Sequence, residues 1–319
     1  MPELPEVQTT VDGINKYTKG LCITDVWTDY KNNNDFHTGK NNIKDPKFFK
    51  NFKKEVIGKK IIRAERRAKN ILINLSDSSS ILIHMKMTGH VLFGEYTMKK
   101  LSKSQFSSIN KNARKEEVWE PVNKQSPLGD PFNRHIRFVL TLSNGRHLVL
   151  ADMRRFAKVT HIHKDKHIDS IHLKDIGPEP LEKSFTSDKF ISRLKLRPSG
   201  KIKTVLLEPK IIAGIGNIYS DEILWRAGVH PERKVDDISD KEFALMFKAM
   251  KSTLQKGIDF GGDSMSDYRN ILGEKGKFQE QHKAYRKTGS KCSVKGCSGK
   301  IVRKIVGARS AHFCDTHQK

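Results

Sequence analysis

The chain has 319 residues, 36% hydrophobic and 30% charged, with a formal net charge of +24 and a pI near 9.8. That length exceeds what one core usually fills, so two or three units are expected, and the composition permits packed cores. No run is long or apolar enough to span a membrane, and the start lacks the basic-then-apolar pattern of a secretory leader, so an intracellular chain is expected, in the cytoplasm or nucleoid if the source is bacterial. A charge of this size points to a polyanion. The basic residues are spread through segments that look folded and are not gathered on one amphipathic helix, which favours nucleic acid over a membrane surface. Genomic base composition is the alternative reading for part of the Lys and Asn richness.

The first six residues are Met1-Pro2-Glu3-Leu4-Pro5-Glu6. Removal of Met1 would leave Pro2 with a free secondary amine and Glu3 beside it as a proton donor, a pairing suited to Schiff-base catalysis at a sugar carbon. The same residues also make a good helix start, because Pro fits a first turn and carboxylates favour the positive end of the helix dipole. Both readings stand at this point. Val7, Val11, Ile14 and Tyr17 then repeat with helical spacing as far as Gly20.

Short β-rich runs follow at 23–27, 61–64, 71–75 and 81–84, and then at 136–142 and 147–151, the last two joined by Asn144-Gly145 as a hairpin turn. This spacing predicts a sandwich-like β domain. Cys22 reads as a small buried hydrophobe in a strand. Residues 96–133 are polar, Lys-rich and without a clear period, and read as an inserted surface excursion. His161, His163, His167 and His172 crowd one region, but their irregular spacing among Lys and Asp favours a solvated loop over a metal site.

From Ser184 the pattern turns helical. Ser239 and Glu242 form a capping box ahead of Phe243, Met246, Phe247, Met250 and Leu254, with Gly257 as the stop. Helical runs at 202–207 and 218–227 flank Ala213-Gly214-Ile215-Gly216-Asn217, giving a helix-turn-helix whose tight turn, with Lys203 and Lys210 nearby, suits a phosphate. The third glycine of a dinucleotide fingerprint is missing. The end of the chain carries Cys292, Cys297, Cys314 and His317 in two close pairs, which is the ligand set of one structural tetrahedral zinc ion, with a β-hairpin expected over 300–313. Residues 282–319 hold ten Lys or Arg against one acidic residue, so this hairpin also points at a nucleic-acid backbone.

These motifs, in this order, resemble the formamidopyrimidine-DNA glycosylase and endonuclease VIII family nearly end to end. Pro2-Glu3-Leu4-Pro5-Glu6-Val7 looks like the family's catalytic start, Arg66-Arg67-Ala68-Lys69 like its catalytic-lysine hairpin, and His84-Met85-Lys86-Met87-Thr88-Gly89 like its Met-bearing loop. Asp152-Met153-Arg154-Arg155-Phe156 is similar to the segment whose Arg and Phe help fill the gap left by an extruded base. Residues 176–181, 214–219 and 228–233 resemble its helix-two-turn-helix region, and the hairpin bearing Arg309 completes the set.

The resemblance implies an α+β multidomain fold. Residues 1–183 would form an antiparallel β-sandwich with a leading helix, 184–281 a helical domain with the helix-two-turn-helix and a lesion-covering loop, and 282–319 a zinc hairpin. It implies a monomeric, bifunctional glycosylase and abasic-site lyase acting on damaged double-stranded DNA, with catalysis by Pro2, Glu3, Glu6, Lys69 and Arg309. Met87, Arg154 and Phe156 would be the wedge. His84 would belong to the DNA-binding surface, while His135, Lys203 and Asn217, with Lys69 and Arg309, would hold phosphates.

Four departures from the family pattern are visible: four residues and not two separate the first cysteine pair, His317 stands in place of a cysteine, residues 96–133 are long, and Thr204 stands where a proline often follows the lysine. Leu4, and the stretch from Gly261-Gly262-Asp263 to Phe278, favour the oxidised-purine branch over the pyrimidine branch. A catalytically silent DNA-binding scaffold is the reading from another class. Against it, Pro2, Glu3, Lys69 and Arg309 are all present.

Overall fold

The computed structural model describes residues 1–30, 42–100, 117–163 and 173–319. The chain opens with α1 (Leu4–Thr18), whose Val7, Val11 and Ile14 are buried, as the helical spacing requires. Two four-stranded antiparallel sheets follow. One has the order β1 (Ile23–Thr28), β8 (Ile136–Leu142), β9 (His147–Ala151), β5 (His90–Gly94). The other runs β10 (Lys158–Ile162), β4 (Ser80–His84), β3 (Asn70–Leu75), β2 (Ile61–Arg67). Side chains alternate across each strand, so Ile71 and Ile73 of β3 enter the core between the sheets while Leu72 faces a smaller outer cluster with Leu82 and Leu173. Helix α2 (Pro46–Val56), capped by Asp45, packs Phe52 and Val56 into the same central core.

Three sequence expectations change here. Residues 96–133 are no simple excursion, because β6 (Tyr96–Lys100) pairs with β7 (Glu117–Pro121), and Tyr96, Trp119 and Leu128 cover the outer face of the first sheet. Residues 101–116 lie outside the described residues. His161 is not solvated either: it belongs to β10, and its side chain is 3% exposed under Phe52. His167 and His172 lie outside the described residues. Cys22 is half-buried, because it forms only an isolated bridge to Lys60 at the sheet margin.

The second half comprises α3 (Ser187–Leu194), α4 (Ile202–Leu206), α5 (Asn217–Ala227) and α6 (Asp240–Asp259) around their own core. Helix α6 starts at the expected Ser239–Glu242 capping box but continues through Gly257. Gly257 serves close approach, not termination: a Cβ there would lie 2.6 Å from the Tyr219 hydroxyl and 2.8 Å from Pro5. The two cores each borrow a residue from the other half, since Leu4 packs with the helices and Ile271 with the sandwich. The chain ends in the hairpin β11 (Ile301–Val306) and β12 (Arg309–Cys314), turned by Gly307 and Ala308, both at positive φ. No helix among the described residues is long and apolar enough to cross a membrane.

Candidate active site and nucleic-acid interface

The opening residues make the helix start that their sequence allows and carry Glu3 to a second helix. Pro2 is buried at the entrance to α1, and Glu3 takes the N-cap position. The Glu3 carboxylate leaves its own helix and sits on the start of α5, accepting hydrogen bonds from the backbone N–H of Ile218 (3.0 Å) and Tyr219 (3.4 Å). An anion at a helix N-terminus is stabilised by the free N–H groups and the dipole. The turn expected to receive a phosphate therefore receives Glu3, and only glycine fits beneath it: a Cβ on Gly216 would lie 2.3 Å from the Glu3 carboxyl carbon.

Glu6 supports this corner from below. It accepts hydrogen bonds from Glu3 N–H (2.7 Å), the Tyr219 hydroxyl (2.7 Å) and Asp263 N–H (2.8 Å). Burial, and then the Glu3 charge, raise its pKa from 4.5 to about 7. Tyr268 donates to the Glu6 carbonyl (3.1 Å), so the 261–278 stretch is tied to α1 by two hydrogen bonds. Its other end rests on the sandwich, where buried Arg269 meets Asp130 at 3.0 Å and Phe93 N–H donates to Ile271 (2.7 Å). The latter half of 96–133 thus braces this loop.

Lys69 stands in the β2–β3 turn, half-buried, near enough to Glu3, Glu6 and Arg309 to feel their charges. Desolvation lowers its pKa, Arg309 acts in the same direction, and the two glutamates oppose them. The turn is held from outside by Glu179, whose carboxylate pairs with Arg66 and Arg67 and accepts from Ala68 N–H at 2.6 Å. Ala68 has φ 53°, a conformation that L-residues seldom adopt unsupported.

The wedge candidates lie on two neighbouring loops. Met87 is 37% exposed, and Arg154 is exposed with its guanidinium 4.6 Å from the Phe156 ring. Thr88 locks the loops together, donating to Asp152 (2.5 Å) and accepting from Arg154 N–H (3.1 Å). Buried Asp152 also accepts from the Tyr30 hydroxyl (3.2 Å) and Ala157 N–H (2.7 Å). His84 closes the first loop by accepting from Lys86 N–H (3.0 Å). Its pKa falls to about 3 through burial and the charges of Lys86, Lys69 and Lys158, so it is a neutral ring at neutral pH.

The phosphate candidates divide. Arg309 is exposed at the hairpin turn and His135 is half-buried before β8. Asn217, first in α5, carries a buried Oδ1 with no hydrogen-bond partner among the described residues. Lys203 differs: it is fully buried, with its ammonium on Asp221 and Ser220. Asp221 also accepts from His312 N–H (3.0 Å), and Glu222 accepts from the N–H groups of Lys283, Ala284 and Tyr285, so α5 anchors the C-terminal hairpin. Sequence reasoning missed Thr88, Asp152, Glu179, Tyr219, Asp221, Glu222 and Asp263 as supports. All but Asp221 and Glu222 lie inside motifs quoted above, but nothing local marks their distant partners.

Cys292, Cys297, Cys314 and His317 converge, with all ligand atoms within 4.8 Å of one another. The Cys297 and Cys314 sulfurs are 3.7 Å apart, close to the edge of about 3.8 Å expected for tetrahedral bonds near 2.3 Å. His317 Nε2 lies 2.9 Å from the Trp225 carbonyl and Nδ1 faces Cys292 Sγ at 3.3 Å, the arrangement in which one ring nitrogen is oriented by a carbonyl and the other is free to ligate. This cluster can hold a metal ion.

Residues 1–159 match the formamidopyrimidine-DNA glycosylase N-terminal domain and residues 176–269 the formamidopyrimidine-DNA glycosylase H2TH domain. The formamidopyrimidine-DNA glycosylase of Pelotomaculum thermopropionicum is 33% identical over 100% of this chain and 99% of its own length, and that of Bacillus subtilis is 32% identical over 98% of both. Among solved structures, a Lactococcus lactis Fpg mutant in complex with DNA containing Fapy-dG superposes with a TM-score of 0.77 at 30% identity, covering 100% of both chains. The Thermus thermophilus protein superposes with a TM-score of 0.75 at 27% identity, covering 99% of this chain and 98% of that one. Together with the sandwich, the helical domain and the cysteine-histidine hairpin, these likenesses define a DNA glycosylase of base-excision repair. More narrowly, the chain belongs to the formamidopyrimidine-DNA glycosylase family.

Proposed function

We propose that the protein removes oxidised purines, 8-oxoguanine and formamidopyrimidines, from double-stranded DNA and then cleaves the strand at the abasic sugar. The observation that carries this reading is the Glu3 carboxylate, adjacent in sequence to Pro2 and held on the first N–H groups of α5 with Lys69 nearby. After Met1 is removed, the Pro2 nitrogen attacks C1′ as the bond to the base breaks and the base leaves with its electron pair and takes up a proton. Glu3 acts as acid and base at the sugar oxygen, and the opened sugar carries an iminium to Pro2. Loss of a C2′ proton expels the 3′ phosphate, and loss of a C4′ proton expels the 5′ phosphate. We assign Lys69 to the first elimination and Arg309 to the second. Glu6 holds the Glu3 backbone in place.

Extruding the base costs a few kcal/mol of stacking and pairing, and Met87, Arg154 and Phe156 fill the vacated space. His84, His135, Asn217 and Arg309 line the DNA side, while the buried Lys203 acts on it through α5. In this reading residues 1–183, 184–281 and 282–319 are the sandwich, helical and zinc units, supported by their separate cores. Zinc held by Cys292, Cys297, Cys314 and His317 would supply structure only, by stapling the hairpin that presents Arg309.

Borohydride should trap a covalent adduct through Pro2 on duplex carrying 8-oxoguanine opposite cytosine, and more of it than on thymine glycol duplex. No adduct on either, with Met1 shown to be absent, would sink the enzyme reading and leave a DNA-binding scaffold. The reverse preference would move the protein to the pyrimidine branch.

A further inference from the structure

We propose that Glu55, His161 and His163 form a second metal site, for a divalent transition cation of the zinc class, between the end of α2 and the edge strand β10. His161 lies on β10 and His163 just past its end, two positions on, so extended backbone sends both side chains to the same side. Here their rings approach to 4.7 Å between centroids at 80°. Glu55, in the last turn of α2, meets them from across the gap, and one donor atom from each of the three lies within 4.8 Å of the other two.

The second, independent observation is the state of the His161 ring. Its side chain is 3% exposed, covered edge-on by Phe52 with centroids 6.3 Å apart, yet neither ring nitrogen makes a well-formed hydrogen bond among the described residues. A buried polar atom left unbonded costs about 1–3 kcal/mol. The Glu55 carboxylate lies 2.8 Å from Nδ1 without the alignment of a hydrogen bond. An ion pair with exposed Glu55 is a weak remedy, since such pairs contribute little and it would leave His163 unused. A cation uses what is present: two imidazole lone pairs and one carboxylate.

Two nitrogens with one oxygen suit zinc, cobalt, nickel or copper; calcium and magnesium favour oxygen throughout. Three protein ligands leave the remaining positions to water. The site stands apart from the proposed chemistry. His161 pairs with Ile81, three residues along β10 from the Lys158–His84 pair and so about 10 Å from it along the strand. A metal there would tie α2 to an edge strand and act on the stability of the sandwich.

The test is zinc content of the full-length protein, equilibrated with excess zinc, gel-filtered and measured by elemental analysis. Two ions per chain are expected for the wild type and one for His163→Ala, an exposed position whose loss leaves the packed His161 in place. Circular dichroism checks that the fold persists. Glu55→Gln should weaken the second ion at least about 100-fold, and Cys297→Ser should remove only the first. One ion per chain in the wild type would overturn the proposal, as would two retained in both His163→Ala and Glu55→Gln. Cobalt substitution identifies the site, because only the cysteine cluster can give thiolate charge-transfer bands.

Discussion

The Glu3–Glu6 corner and the Met87–Arg154 loops are each organised by one buried carboxylate, and they use it in opposite directions. Glu6 is 1% exposed and gathers three donors to hold another buried carboxylate in place. Asp152 is 0% exposed and also gathers three donors, but the loops it fixes point Met87 and Met153, 37% and 48% exposed, away from the protein. Reaction at a sugar needs charges withdrawn from water, where electrostatic effects are strong. A wedge needs apolar surface that only bound DNA covers. On the function proposed above, one device serves both, and the side chains it aims decide the role.

The comparison breaks hardest at Glu3. Glu3→Gln should lower single-turnover excision about 10²–10⁴-fold, the range for a positioned acid or base, while DNA affinity stays near wild type in gel-shift titrations. Gly216→Ala should cost less, about 10–100-fold in the same assay, because it displaces the Glu3 carboxylate without removing it, and one lost positioning contact is worth that much. Normal activity in Gly216→Ala would show that the α5 seat is dispensable.

Glu6 gives the next effect. Between pH 4.5 and about 7 the folded chain keeps a proton that the unfolded chain has released, so stability must fall as pH rises through this window. The loss attributable to Glu6 should be about 3 kcal/mol, and urea unfolding at pH 5 and pH 8 should show it in the wild type and not in Glu6→Gln. Met87→Ala is the smallest change. It should weaken excision from duplex DNA by about 1–3 kcal/mol and leave cleavage of single-stranded abasic DNA unaltered, since only the duplex requires extrusion. Equal losses on both substrates would place Met87 in the chemistry and erase the contrast between the two regions.

Much of the architecture was readable where a signal is local. Strands β8 and β9 follow from alternation around Asn144-Gly145, the start of α6 from its capping box, and the metal cluster from close ligand pairs at the end of the chain. Residues 96–133 and His161 were misread because both are folded by what they pack against. Trp119 has its partner in Trp27, and His161 its cover in Phe52, each far away in sequence.

The sequence by itself determined the order of the candidate site residues, the cysteine-histidine cluster and the family. Alternation, capping, turn chemistry and motif order are properties of neighbours along the chain. Only the tertiary structure decided which charges are buried and what satisfies them: Glu3 on Ile218 across 215 positions and Glu179 on Arg67 across 112. A buried charge is tolerable only beside a specific partner, and where that partner comes from is set by how the sheets and helices pack.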